Sequence, residues 1–429
     1  MPNWVTLAPM LVRPHVILPC LVVACVGGCG GGSQDAACDP DASVDCACPS
    51  YLRGVQVCDS AHTFSVCMCV AESADAGVAG GVDAGLGSAD GATPDGGHFV
   101  ATGDMTTPRW IPTATLLESG QILVAGGTYY DPFGSTELYD PAAGIFTATG
   151  EMTEARWNFT ATLLGNGQVL MAGGAGSLDA FASAELYDPA TGTFAATGKM
   201  TTARYSHTAT LLPEGRVLIV GGAGDDGELA SAELYDPAMG TFTATAGMVT
   251  TRYAHTATLL RSGKVLVAGG ARGESLASAE LYDPATGTFT ATGSMTAARR
   301  DHSATLLPSG QVLVAGGQGA LGGNSLASAE LYNPVAGAFT ASGSMAAVRA
   351  GHTATLLRSG QVLVAGGEDG DRANYIPSSA ELYLPAGGTF FPAGNLATPR
   401  PRFAATLLLD EGVLIVGGNP WSVSAELYK

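Results

Sequence analysis

A unit of about 48 residues recurs seven times between Phe99 and Lys429, and that repetition constrains the fold more tightly than any single motif. Each copy reads Phe-x-x-x-Gly-x-Met, Arg, Thr-Leu-Leu, a turn with Gly, Val-Leu-Val-x-Gly-Gly and Ala-Glu-Leu-Tyr-Asp-Pro, with small local changes. The Gly-Gly pairs begin at Gly126, Gly173, Gly221, Gly269, Gly316, Gly366 and Gly417. Self-similarity at this period marks an array in which one copy is one supersecondary unit that buries its apolar faces only against neighbouring copies.

Within a copy, four short β-prone runs are separated by turn signals. In the fourth copy they are His255 to Leu260, Lys264 to Ala268, Ser278 to Tyr282 and Thr288 to Ala291. Ser262-Gly263 joins the first two, and Asp283-Pro284 through Gly287 joins the last two. Each copy is therefore expected to form a four-stranded antiparallel blade. The chain stops at Ala425-Glu426-Leu427-Tyr428-Lys429, three strands into the seventh copy, and residues 99-103 before the first copy match the missing fourth strand. A last blade assembled from both ends would close the array and hide its edges. The expectation is an all-β fold, a seven-bladed β-propeller over 99-429.

Paired glycines after the second strand, Tyr in the third and an aromatic in the fourth make this stretch resemble the kelch-repeat family over about three quarters of the chain. Phe146, Phe194, Phe242, Phe289, Phe339 and Phe390 stand where many kelch repeats carry Trp. The runs Thr-Ala-Thr-Leu-Leu and Val-Leu-Val-Ala-Gly-Gly are also similar to the propeller repeats of galactose oxidase-like copper enzymes. That resemblance would imply a cofactor made from a cysteine cross-linked to tyrosine, and no cysteine follows Cys69. No cofactor and no metal are expected.

Positions that recur in every copy should serve the fold. Arg109, Arg156, Arg204, Arg252, Arg299, Arg349 and Arg400 recur together with Glu137, Glu185, Glu233, Glu280, Glu330, Glu381 and Glu426, and mutual pairing is the economical way to bury both sets. His207, His255, His302 and His352 share one position in four successive copies, which spreads them from blade to blade instead of gathering them around a metal. Pro112, Phe159 and Phe403 take that position elsewhere.

Positions that differ between copies point to binding, because loops that vary on a rigid scaffold carry function. The loops after the Gly-Gly pairs and the residues around each repeated Arg share one rim. There stand Tyr129, Tyr130 and Phe133, then Asp179 and Phe181, then Asp225, Asp226 and Glu228, then Arg272 and Glu274, the loops 319-325 and 369-377 with Tyr375, and Trp421. Immediately after the repeated Arg come Trp110, Trp157, Tyr205, Tyr253 and Arg300, then Ala350 and Pro401. An arc of aromatic faces beside polar groups suits a glycan or a peptide. The same rings would also cap the seams between blades. Asp225-Asp226 and Glu368-Asp369 lie in Gly-rich loops and read as solvated charge.

The amino-terminal quarter has another character. Arg13 and His15 precede the apolar run Val16 to Val26, too short to span a bilayer and suited to an export signal. Val26-Gly27-Gly28-Cys29 resembles a bacterial lipobox, so 1-28 reads as a lipoprotein signal, Cys29 as the lipidated residue and 29-37 as a tether. Cys25 is the alternative. Cys29 leaves Cys38, Cys46, Cys48, Cys58, Cys67 and Cys69, an even set for a disulfide-stapled module at 38-69. Zinc bound by the paired Cys-x-Cys elements is the competing reading. Residues 70-98 are Ala, Gly and Asp with few large apolar side chains, the composition of a disordered linker.

A formal charge of -19 opposes a sequence-independent hold on nucleic acid and docking on anionic lipid through basic residues. Membrane contact is expected only through the lipid anchor, at a bacterial outer membrane or cell surface. The functional expectation is a non-catalytic, exported binding or scaffold protein whose rim meets an unidentified protein or polysaccharide of the cell envelope. A carbohydrate-active enzyme with rim carboxylates converging in the central funnel is the alternative, and a purely structural matrix protein is a third.

Overall fold

The computed structural model describes residues 97–429 apart from 129–130, 178, 321–323, 370–376 and 419–421, together with the backbone of three short strands nearer the amino terminus. Those three strands, Ser43–Cys46, Leu52–Val57 and Met68–Ala71, form a small antiparallel sheet in a unit of its own. Cys46 and Cys69 both stand opposite Gly54 in its registers. The leader, the lipobox cysteines Cys25 and Cys29, and Cys38, Cys48, Cys58 and Cys67 lie outside the described residues.

The remainder is a seven-bladed β-propeller of four-stranded antiparallel blades. In the fourth blade the strands are Thr256–Leu259, Val265–Ala268, Ala279–Asp283 and Thr288–Ala291, within a residue or so of the runs legible in the sequence. The second strand is buried along its whole length in every blade because it faces a neighbour on both sides. Val265 and Val267 pack toward the third blade beside Leu218 and Val220, whereas Leu266 and Ala268 pack toward the fifth beside Val312 and Val314. Strand alternation therefore turns one uninterrupted apolar run into two seams. Each buried Val or Leu contributes roughly 1.5–3 kcal/mol, so the seams dominate the stability.

Two further details tie blade to blade. The third-strand Tyr packs tilted on the fourth-strand Phe, as Tyr235 does on Phe242 with centroids 4.7 Å apart. Its hydroxyl bonds a hydroxyl of the preceding blade, 2.8 Å for Tyr235 with Thr197. The Gly-Gly pair ends the second strand with positive φ, +62° at Gly269 and +89° at Gly270. A Cβ on Gly269 would lie 2.5 Å from the Arg299 carbonyl oxygen and 2.6 Å from the His302 ring, so only glycine lets the next blade approach.

The seventh blade is composite. Ala404–Leu407, Val413–Val416 and Ala425–Tyr428 are completed by Phe99–Ala101, with Phe99 opposite Tyr428 and Ala101 opposite Glu426. His98 and Lys429 exchange backbone bonds of 2.9 and 3.0 Å just beyond. The closing seam joins blades seven and one through Leu414, Val416 and Leu427 against Ile122, Val124 and Tyr139.

Candidate functional site on the propeller axis

The recurring charges form seven buried ion pairs, one per blade, from Arg156–Glu185 at 2.8 Å to Arg400–Glu426 at 3.2 Å. In the third blade Arg204 Nη2 donates to Glu233 Oε1 at 3.0 Å, and Nη1 donates to the carbonyls of Gly221 and Ser231 at 2.8 and 3.0 Å. Glu233 Oε2 accepts from the Thr201 N–H at 2.8 Å. Each pair thus stitches three loops of its own blade together. Burial lowers the arginine pKa and the partner carboxylate raises it again. The four histidines are equally structural. Nε2 of His207, His255, His302 and His352 meets a hydroxyl of the preceding blade at 2.9–3.1 Å. Burial holds them neutral, His207 and His352 at a pKa of about 3.

The aromatic arc is present and half-buried. Trp110, Trp157, Tyr205, Tyr253 and Arg300 each make one antiparallel bridge to the residue following a Gly-Gly pair, namely Thr128, Ala175, Ala223, Ala271 and Gln318. Trp157 donates its indole N–H to the Gly176 carbonyl at 3.0 Å and stands 6.2 Å from the Tyr205 ring. Arg300 Nε donates to the Gln318 side chain at 2.9 Å. Burial raises the Tyr205 hydroxyl above its ordinary range. Asp225 and Asp226 are exposed, and Asp225 Oδ1 accepts the Ala180 N–H of the preceding blade at 3.0 Å. Glu228 accepts the Gly273 N–H of the following one at 3.1 Å. These carboxylates clamp loop to loop. Phe133 and Phe181 lie near the guanidinium groups of Arg109 and Arg156. Tyr129, Tyr130, Tyr375 and Trp421 fall outside the described residues.

Sequence reasoning stopped one residue short of the axis. The residue after each arc position is Ile111, Asn158, Ser206, Ala254, Asp301, Gly351 or Arg402, a different amino acid in every blade. All seven adopt the left-handed backbone, with φ between +51° and +61°. Six N–H to C=O bonds of 2.9–3.2 Å string them together, Ser206 to Asn158, Ala254 to Ser206, Asp301 to Ala254, Gly351 to Asp301, Arg402 to Gly351 and Ile111 to Arg402. Equivalent residues of successive blades can bond in this way only where the blades converge, at the axis. The backbone there is consumed in the belt, which leaves the side chains to give the axis its chemistry.

Three charged groups meet at that level. Arg402 Nε and Nη2 both donate to Glu368 Oε1, at 3.1 and 2.5 Å, and the guanidinium carbon lies 5.8 Å from the centre of the Trp110 ring. The reading of Glu368 as a solvated loop charge is thereby corrected, because Arg402, thirty-four residues away, draws it to the axis. Asp301 is only 2% exposed, and its Oδ1 has no hydrogen-bond partner among the described residues, as is true of Arg402 Nη1. Burial drives the Asp301 pKa up to about 6 against the attraction of Arg402 and Arg300, with Glu368 adding to the rise. Between Asp301 and Arg402 in the belt stands Gly351, where a Cβ would press to within 3.1 Å of Arg402 Cγ.

No protein-family model and no curated protein matches the chain. Among solved structures it resembles a fungal alcohol oxidase described as showing catalytic diversity among the AA5 family, in complex with copper. The TM-score is 0.64 and the identity 18%, over 77% of this chain and 75% of the other. At that identity the likeness establishes the propeller fold. The expectation of a non-catalytic protein is corrected by this finding, because the scaffold that the two share carries an enzyme in the fungal protein. Copper does not fit the residues here. Among the described residues no three His, Cys, Asp or Glu side chains are placed to hold a metal, and the four histidines already bond hydroxyl groups.

Proposed function

We propose that the propeller is a carbohydrate-active enzyme, with the sugar chain lying along the aromatic arc and the reacting unit over the axis. The observation that carries this reading is the convergence of two carboxylates in opposite environments, Glu368 in an ion pair at the surface and Asp301 buried with an elevated pKa. Such a split lets one group give a proton while the other takes one. Glycoside cleavage needs only water besides. The Asp301 proton would pass to the leaving oxygen as the glycosidic C–O bond breaks, water would form the new C–O bond, and Glu368 would accept the water proton. Half-buried Trp110, Trp157, Tyr205 and Tyr253 supply the apolar faces on which sugar rings stack.

A screen of the full chain on glycosides and uronides tests this. Turnover should appear on at least one substrate and fall by two orders of magnitude or more in Glu368→Gln. Turnover indifferent to that change, or none across the panel, would overturn the reading. We propose further that the kelch-like propeller is held at the cell envelope through lipidated Cys29, which would place the rim among envelope polysaccharides.

A further inference from the structure

Asp301 and Arg402 each carry a buried polar atom at the axis with no partner among the described residues, and the two atoms are complementary. Asp301 Oδ1 is an acceptor and Arg402 Nη1 a donor, on residues separated in the belt only by Gly351. An unsatisfied buried carboxylate oxygen and guanidinium N–H each carry a desolvation cost, which a ligand able to bond both would relieve. A hydroxyl group relieves both at once, because its proton can go to Asp301 while its oxygen accepts from Arg402.

We propose that Asp301 and Arg402, which flank Gly351 in the belt, form a socket that takes a neutral, hydroxyl-bearing unit of the ligand. The inference rests on the carbohydrate reading and narrows it. An acidic sugar would set a third negative group beside Asp301 and Glu368, while Arg402 already spends two of its donors on Glu368 and Arg300 is engaged with Gln318. A neutral sugar brings donors to match the surplus acceptors.

The experiment is titration calorimetry on the full chain at pH 7. The probes are the methyl glycosides of glucose, mannose and galactose, each beside the matching uronide. At least one neutral glycoside should bind tenfold or more tightly than its uronide. Asp301→Asn should lose tenfold or more in affinity and yet melt higher than wild type, since it removes a buried charge whose Oδ1 has no hydrogen-bond partner among the described residues. Because burial lifts this carboxyl from 3.8 to about 6, the charge destabilises the fold above pH 6 and the cost disappears as pH falls toward 4. The gain in Tm should follow the same course. Gly351→Ala, whose methyl would press on Arg402 Cγ and displace the guanidinium, should also abolish binding while the blades stay folded by circular dichroism.

Tighter binding of a uronide than of its neutral partner, no binding by any probe, or undiminished affinity in Asp301→Asn would each overturn the socket. The two proposals fail separately. Binding that depends on Asp301 without turnover removes the enzyme reading and keeps the socket, whereas turnover that Glu368→Gln and Asp301→Asn both abolish, on a substrate that Asp301→Asn still binds with undiminished affinity, removes the socket and keeps the enzyme reading.

Discussion

At the scale of single residues, identity between copies and difference between copies divide the labour. Residues repeated in every blade are consumed by the fold, as the ion pair of Arg204 with Glu233 and its bonds to Gly221 and Ser231 illustrate. The histidines, repeated in four of the seven blades, likewise serve the fold and carry a pH dependence. A histidine that titrates near 6.5 when unfolded and near 3 when folded binds its proton first in the unfolded chain. The stability it contributes is complete above pH 6.5 and is lost as pH falls, by about 2 kcal/mol per histidine at pH 5. Replacing His207 and His352 by Phe, the residue that blades two and seven already use, should flatten the acid limb of a Tm-against-pH curve. An unchanged limb would mean that other groups govern it. The axial residues belong to the opposite class. Their variability was legible, since no two blades share a residue at that position, but the eye rests on the aromatic just before it. That the seven positions adjoin one another is a fact of the closed array, which no single copy displays.

At the scale of elements, the strand plan was legible because turn chemistry and alternation repeat with every copy. Agreement to within a residue or so in the fourth blade follows from Ser262-Gly263 and Asp283-Pro284 fixing the hairpins. The rim loops were legible only as variable. Their interlocking was not, because Asp225 with Ala180, Glu228 with Gly273 and Glu368 with Arg402 are contacts between blades, whose partners lie more than thirty residues apart in sequence. The composite blade gives the sharpest element-level prediction. Deleting residues 97–101 uncovers the edge of Ala425–Tyr428 and removes Val100 from the seam between blades seven and one. The truncated protein should melt lower and associate through that edge, which static light scattering during heating would detect. Monomeric behaviour at the wild-type Tm would show that the latch is dispensable.

At the scale of the whole molecule, the propeller supplies a stiff frame and asks little of its local sequence at the axis, so chemistry there is free to differ from one propeller to another. The fungal oxidase and this chain share the frame at 18% identity. Function therefore has to be argued from Asp301, Glu368 and Arg402. On the proposal of a lipid anchor, the amino-terminal quarter would set where the molecule acts. A Cys29→Ser chain should lose incorporation of labelled palmitate and appear in the soluble fraction when expressed in a Gram-negative host. Continued labelling would point to Cys25 instead.

The composite blade also bears on biogenesis. The strand of the propeller that is synthesised first, Phe99–Ala101, finds its partner only in the strand synthesised last, Ala425–Tyr428. Until that later strand emerges, the nascent propeller is an arc with two unmet borders, and the long-range pairing that seals it is a slow contact to form. A prematurely terminated product can fold blades but cannot complete the circle. Completeness of the propeller is thus checked by topology itself, before any proteolytic surveillance has to act.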